Sequence, residues 1–157
     1  MTINLQLDAE DLRGVFVNVA KRDAGRFDRI WRDPSAEKFP LRYGTEAPLK
    51  ALILMSLATI ALASPVNMSK IARRIPFYLA PGTEAPTTVR VTQQARELVE
   101  KARKILDRDL SIDIIDGRMH VLHPFFKVYL LWLMLPSFGL DYPDIQKYME
   151  EDADNGH

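Results

Sequence analysis

The sequence predicts a mainly α-helical protein with a short two-stranded antiparallel ribbon, built as two versions of one strand-helix-helix unit in a single chain. Three observations lead there. Thr2 to Leu7 (T-I-N-L-Q-L) and Thr87 to Thr92 (T-T-V-R-V-T) both alternate apolar and polar residues with the period of a half-buried strand. Each is followed by apolar residues at helical spacing. The two stretches superpose at an offset of 86 residues, with Ile3 over Val89, Leu5 over Val91, Ala9 over Ala95 and Leu12 over Leu98.

In chain order, Ile3, Leu5 and Leu7 form the apolar side of the first strand, and Asp8 can cap the helix after it. That helix carries Ala9, Leu12, Val15, Phe16 and Val19 on one face and Lys21 and Arg22 near its end. A short helix is expected over 26–32, then a loop marked by Pro34, Pro40 and Gly44. Pro48 suits the first turn of an apolar helix reaching about Ala63, and Ser64-Pro65 ends it. Asn67 or Ser69 can start another helix, Lys70 to Leu79. Ala80 to Pro86 reads as a linker. After the second strand, Ala95, Leu98, Val99, Ala102, Ile105 and Leu106 form a helical stripe. Asp116-Gly117 marks a hairpin turn. An apolar helix runs from Pro124 to about Leu135, stopped by Pro136 and Gly139, and a last helix covers Pro143 to Met149. The expected division is a first repeat over 1–80, a linker at 81–86, a second repeat over 87–150 and an acidic disordered tail at 151–157, all within one compact domain.

Bulk properties narrow the function classes. Cysteine is absent, so disulfides and thiolate metal sites are excluded, which fits a cytoplasmic location. No signal peptide is visible, and the longest apolar runs are too short to span a bilayer. The formal charge of zero counts against a DNA binder. The charge is uneven, however: residues 141–157 hold six acids and one base, leaving 20 bases and 15 acids in 1–140. His120 and His123 lack the partners a metal site needs. Asp113 with Asp116, and Glu150 with Glu151, are not positioned for acid-base work. No glycine-rich phosphate loop or nucleophile motif occurs, so neither an enzyme nor a cofactor is expected.

A lone strand leaves its backbone unsatisfied, but two in one chain can pair, and a two-stranded ribbon fits the major groove. On the stretches T-I-N-L-Q-L-D-A-E-D-L and T-V-R-V-T-Q-Q-A-R-E-L the chain resembles the ribbon-helix-helix DNA-binding superfamily, in the single-chain duplicated form of conjugation and DNA-transfer proteins. The resemblance implies a pseudo-dimer whose ribbon reads bases with Thr2, Asn4 and Gln6 from one strand and Thr88, Arg90 and Thr92 from the other. Lys70, Arg73 and Arg74 are candidate phosphate contacts. The connectors at 23–45 and 109–122 are longer than the family's short turn, and Arg90 is the ribbon's one basic residue. The family adds phosphate contacts at the second helix N-terminus, either around Thr45 and Glu46 or around His123. The expected function is a sequence-specific DNA-binding regulator or DNA-transfer accessory factor of a mobile element, with double-stranded DNA and either itself or another regulatory protein as partners. The competing reading is a helical antagonist or adaptor that binds a protein and no DNA.

Overall fold

The computed structural model describes residues 9–60, 65–106, 112–121, 124–140 and 147. The first predicted strand, with Thr2, Asn4 and Gln6, lies outside them, as do the tail at 151–157 and most of the helix expected over 143–149. Helix α1 covers Ala9–Trp31. It is followed by strands β1 (Lys38–Pro40) and β2 (Glu46–Pro48), helix α2 (Leu49–Thr59), strand β3 (Val66–Asn67) and helix α3 (Met68–Arg74) with a 3-10 turn at Ile75–Phe77. Helix α4 (Thr88–Leu106), strands β4 (Ile112–Ile115) and β5 (Arg118–Val121), helix α5 (Pro124–Tyr129), a π turn at Leu130–Met134 and helix α6 (Leu135–Ser137) complete it.

The architecture is mainly helical with two small antiparallel sheets, β1–β2 and β3–β5–β4. This corrects the expectation of one ribbon. The segment predicted as its second strand, 87–92, enters α4, so the ribbon-helix-helix pseudo-dimer does not appear among the described residues. The cause lies in one turn of chain. Val91 belongs to a buried stripe with Ala95, Leu98, Val99, Ala102 and Leu106, whereas Val89 is 79% exposed. In a strand both would share the buried face. The Thr87 hydroxyl accepts from the Arg90 backbone N–H at 3.2 Å, closing the helix N-terminus at the point where the strand was expected.

Two expected helices, at 9–22 and 26–32, are one. Gly25 meets no neighbour within 4 Å, and an Asp23–Arg26 pair at 3.5 Å spans the junction. Ala20, Phe27, Ile30 and Trp31 then continue the buried face to its end. Helix α2 is buried on every side except at Lys50, which makes it the central element. It stops at Thr59, earlier than expected, because Ile60 is extended. The Asp116-Gly117 turn forms as predicted, with φ of 54° and 72°, the pattern of a two-residue hairpin loop. The segment 81–86 is turn and irregular chain, as the two prolines and glycine there require. A long helix, a hairpin and an apolar helix follow one another twice, as α1–β1β2–α2 and as α4–β4β5–α5.

The apolar helix predicted from Pro124 widens into a π turn before Pro136. A proline at that position cannot donate to the carbonyl four residues back, and its ring crowds that carbonyl. The widened turn shifts the bonding register ahead of it. Gly139, at φ 92°, ends the helix as expected, with the Leu140 N–H reaching back to the Leu135 carbonyl at 3.2 Å.

Helices α1 and α5 meet through aromatic rings. Phe27 lies 5.2 Å from Phe126 and 5.0 Å from Tyr129, and Trp31 lies 5.3 Å from Phe138. Trp31 Nε1 donates to the Tyr129 hydroxyl at 2.8 Å, and that hydroxyl donates to Asp28. Burial, reinforced by the bond to Asp28, raises the Tyr129 phenol above its usual range. The folded state therefore holds this proton more tightly than the unfolded chain does. Its contribution is complete below pH about 10 and is lost as pH rises beyond that value. Urea unfolding of wild type is expected to show an alkaline loss of stability, and Tyr129→Phe should remove that component of the pH dependence.

Candidate nucleic-acid interface

Helix α4 is held on three sides. Its buried stripe packs on α1, α2 and α3, and its C-terminal half meets β4. One flank is fixed by polar contacts to the end of α1 and the start of α2. Arg90 pairs with Glu37 at 2.6 Å and lies 5.5 Å from the centre of the Phe39 ring. Lys50 pairs with Glu97 at 3.2 Å, and Lys101 Nζ donates to the Arg32 carbonyl at 2.9 Å. Glu37, Lys50, Arg90 and Glu97 line a cleft of about 220 Å³ that also includes Trp31 and Asp33. The Ser35 hydroxyl and N–H bonded to Asp33 hold its carboxyl below the usual range. The charges here are mutually neutralising, and the cleft is an anchor for α4.

The outward side of α4, next to that flank, is open. At about 100° per residue, Val89, Gln93, Arg96 and Glu100 fall within about 60° of one another. All four are exposed, and with Thr88, Thr92 and Glu97 they line a groove of about 540 Å³. Arg96 has no ion-pair partner among the described residues. The β4–β5 hairpin flanks the C-terminal half of the helix, where Arg103 pairs with Asp113 at 2.9 Å. Arg118 on β5 is exposed and donates to the Asn67 side chain at 3.1 Å, across the β3–β5 pairing. On α3, Arg73 is exposed and its Nε lies 3.4 Å from the Ser69 carbonyl.

The sequence-predicted residues are thus divided. Thr88 and Thr92 reach a common surface, four residues apart on a helix and not two apart on a strand. Arg90 turns to the adjoining flank, and its pairing with Glu37 removes it from that surface. Of the candidate phosphate contacts, Arg73 is exposed and Lys70 half-buried. Arg74 is a correction: it is buried, with its guanidinium 5.6 Å from the centre of the Phe77 ring. Thr45 and Glu46 sit at the β1–β2 hairpin, with Thr45 Oγ1 donating to the Phe138 carbonyl, which is not a helix N-terminus free for phosphate. His123 lies outside the described residues.

Val89 and Gln93 were missed as helix surface residues because the strand reading broke the helix before Ala95. The signal was present in the stripe Leu98, Ala95, Val91, which extends one turn further towards the N-terminus, and in Pro86-Thr87 as a helix start. Among the described residues no group of three or more His, Asp or Glu is placed to hold a metal ion, and no helix is long and apolar enough to cross a membrane. Comparisons with protein-family models, with curated proteins and with solved structures give no match.

Proposed function

We propose that this protein binds double-stranded DNA, with α4 in the major groove and the β4–β5 hairpin beside it. The observation that carries the reading is connectivity. Helix α2 leads through β3 to the helix pair α3 and α4, and α4 leads into a hairpin whose second strand pairs with β3. That is the order of a winged helix-turn-helix, in which the second helix of the pair reads base edges. The open side of α4 is polar, apart from Val89. Residues 65–121 hold ten bases against seven acids, so this part of the chain is positive while 141–157 is negative.

The connection between α3 and α4, residues 75–87, exceeds the usual three or four residues. It is fixed all the same. Ile75, Tyr78 and Leu79 are buried, Leu79 bridges to Leu41, and the Tyr78 hydroxyl meets Thr59 and the Met55 carbonyl. The pair therefore keeps its packing despite the insertion. DNA-linked regulation or an accessory role in DNA transfer suits such a module, and the function needs no catalytic group. The competing reading, a helical module that binds a protein, draws on the zero formal charge.

Fluorescence anisotropy with a labelled random duplex tests the proposal. Binding is expected at about 50 mM salt and should weaken steeply by about 200 mM. Arg96→Ala should cost about 1–3 kcal/mol on a preferred site while leaving the fold intact. Absence of binding to any duplex at the lower salt would overturn DNA binding in favour of the protein-binding reading.

A further inference from the structure

The outward stripe of α4 carries a residue that packing does not explain. Val89 is the most exposed of the large hydrophobic side chains among the described residues, at 79%. It stands in the first turn of a helix, where a β-branched residue is a poor helix former. It is in line with Gln93 and Arg96, which are polar and exposed. The three side chains offer three different chemistries in one row: a methyl surface, an amide that both donates and accepts, and a guanidinium.

We infer that this row reads base identity, with Val89 against the 5-methyl group of a thymine, Gln93 on an adenine and Arg96 on a guanine. The inference rests on the DNA-binding reading above and deepens it. Each pairing follows from what the major groove displays. Thymine alone presents a methyl group there, adenine offers N7 and the N6 amino group to a carboxamide, and guanine offers N7 and O6 to a guanidinium. The spacing is compatible. At 1.5 Å per residue, Val89 and Arg96 are about 10 Å apart along the helix axis, which matches about three base-pair steps of 3.4 Å. Arg96 supplies the positive charge of the row and has no ion-pair partner among the described residues, while Glu97 and Glu100 line the same groove.

The other exposed large hydrophobics do not compete for the role, since none of them lines the groove. Ile115 is at the hairpin tip and Phe77 is in the connection before α4, so neither shares the row. Arg90 is two residues before Thr92 in the sequence yet faces Glu37, so it is excluded from base contact in this arrangement.

The experiment starts from a duplex enriched out of a random-sequence pool by the full-length protein. Each thymine of that duplex is replaced in turn by deoxyuridine, which removes only the methyl group. At one thymine, wild type should lose about fourfold in affinity, the value of one buried methyl-sized group. Val89→Ala should bind the two duplexes equally, since loss of both γ-methyl groups withdraws the apolar surface from the thymine methyl. Arg96→Ala should accept other bases at one guanine within about four base pairs of that thymine. The inference is overturned if the pool yields salt-dependent binding without sequence enrichment. It is also overturned if no thymine shows a methyl effect, or if Val89→Ala retains that effect. Those three outcomes leave DNA binding standing, whereas failure to bind any duplex at low salt overturns both readings.

Discussion

Replacing Phe27 with alanine is expected to lower the unfolding free energy by about 3–5 kcal/mol, the range for deleting a buried aromatic ring. Phe27 is fully buried at the seam between α1 and α5, edge-on to Phe126 and tilted against Tyr129. Phe126 and Tyr129 stack on each other at 5.7 Å, so they cannot both move into the vacated space without breaking their own contact. The Tyr129 hydroxyl is further fixed between Trp31 and Asp28. The seam therefore has little freedom to collapse, which places the expected loss towards the upper end. Urea titration followed by circular dichroism checks this through the midpoint, with the slope unchanged. The exposed Val15 gives the control, since Val15→Ala should fall within about 0.5 kcal/mol of wild type. A loss below about 1 kcal/mol for Phe27→Ala would contradict the packing of α1 on α5.

The second large effect concerns two valines. Val91→Asp is expected to destabilise by about 4 kcal/mol or more, because the carboxylate enters a fully buried apolar stripe. Val89→Asp should change stability by less than about 1 kcal/mol, since that side chain is exposed and a negative charge suits the start of a helix. The comparison separates the two backbone conformations directly. On a strand, positions 89 and 91 share a face and the two substitutions would be equally harmful. On α4 they lie on opposite sides. Thermal unfolding of the two variants beside wild type makes the measurement. Equal losses would restore the strand.

Helical content, the central burial of the 49–59 segment and the Asp116-Gly117 hairpin were all legible in the sequence, because each rests on a strong local signal. A run of apolar residues with a single lysine has no solvent face to offer. An Asp-Gly pair between short alternating segments has few other uses. The 87–92 segment was misread because six residues with two valines two apart satisfy a strand, while one of those valines also completes a helical stripe. Only tertiary packing selects between them, by burying Val91 and leaving Val89 out. The break expected between Arg22 and Arg26 failed for a related reason. A single glycine weakens a helix, but the buried face on either side of Gly25 outweighs that cost. The short strand β3 had no signal at all, since two residues are too few for a period to show. The arrangement that suggests the function depends on that strand, so the functional fold was less visible than the elements composing it. Arg90 was the most attractive base-reading residue in the sequence, and its pairing with a glutamate from β1's approach was not readable from spacing.

The two-residue strand β3 also bears on how the chain finds its fold. Its pairing joins Val66 to Met119 and Asn67 to Arg118, partners that are far apart in the chain. Closing so long a loop for so few hydrogen bonds is entropically unfavourable by itself. The β4–β5 hairpin is local and can form early, but its attachment to β3 gains enough only after α2, α3 and α4 have brought the two segments together. The β3–β5–β4 sheet is thus a late fastening on a helical assembly, and the hairpin's position beside α4 is inherited from helix packing.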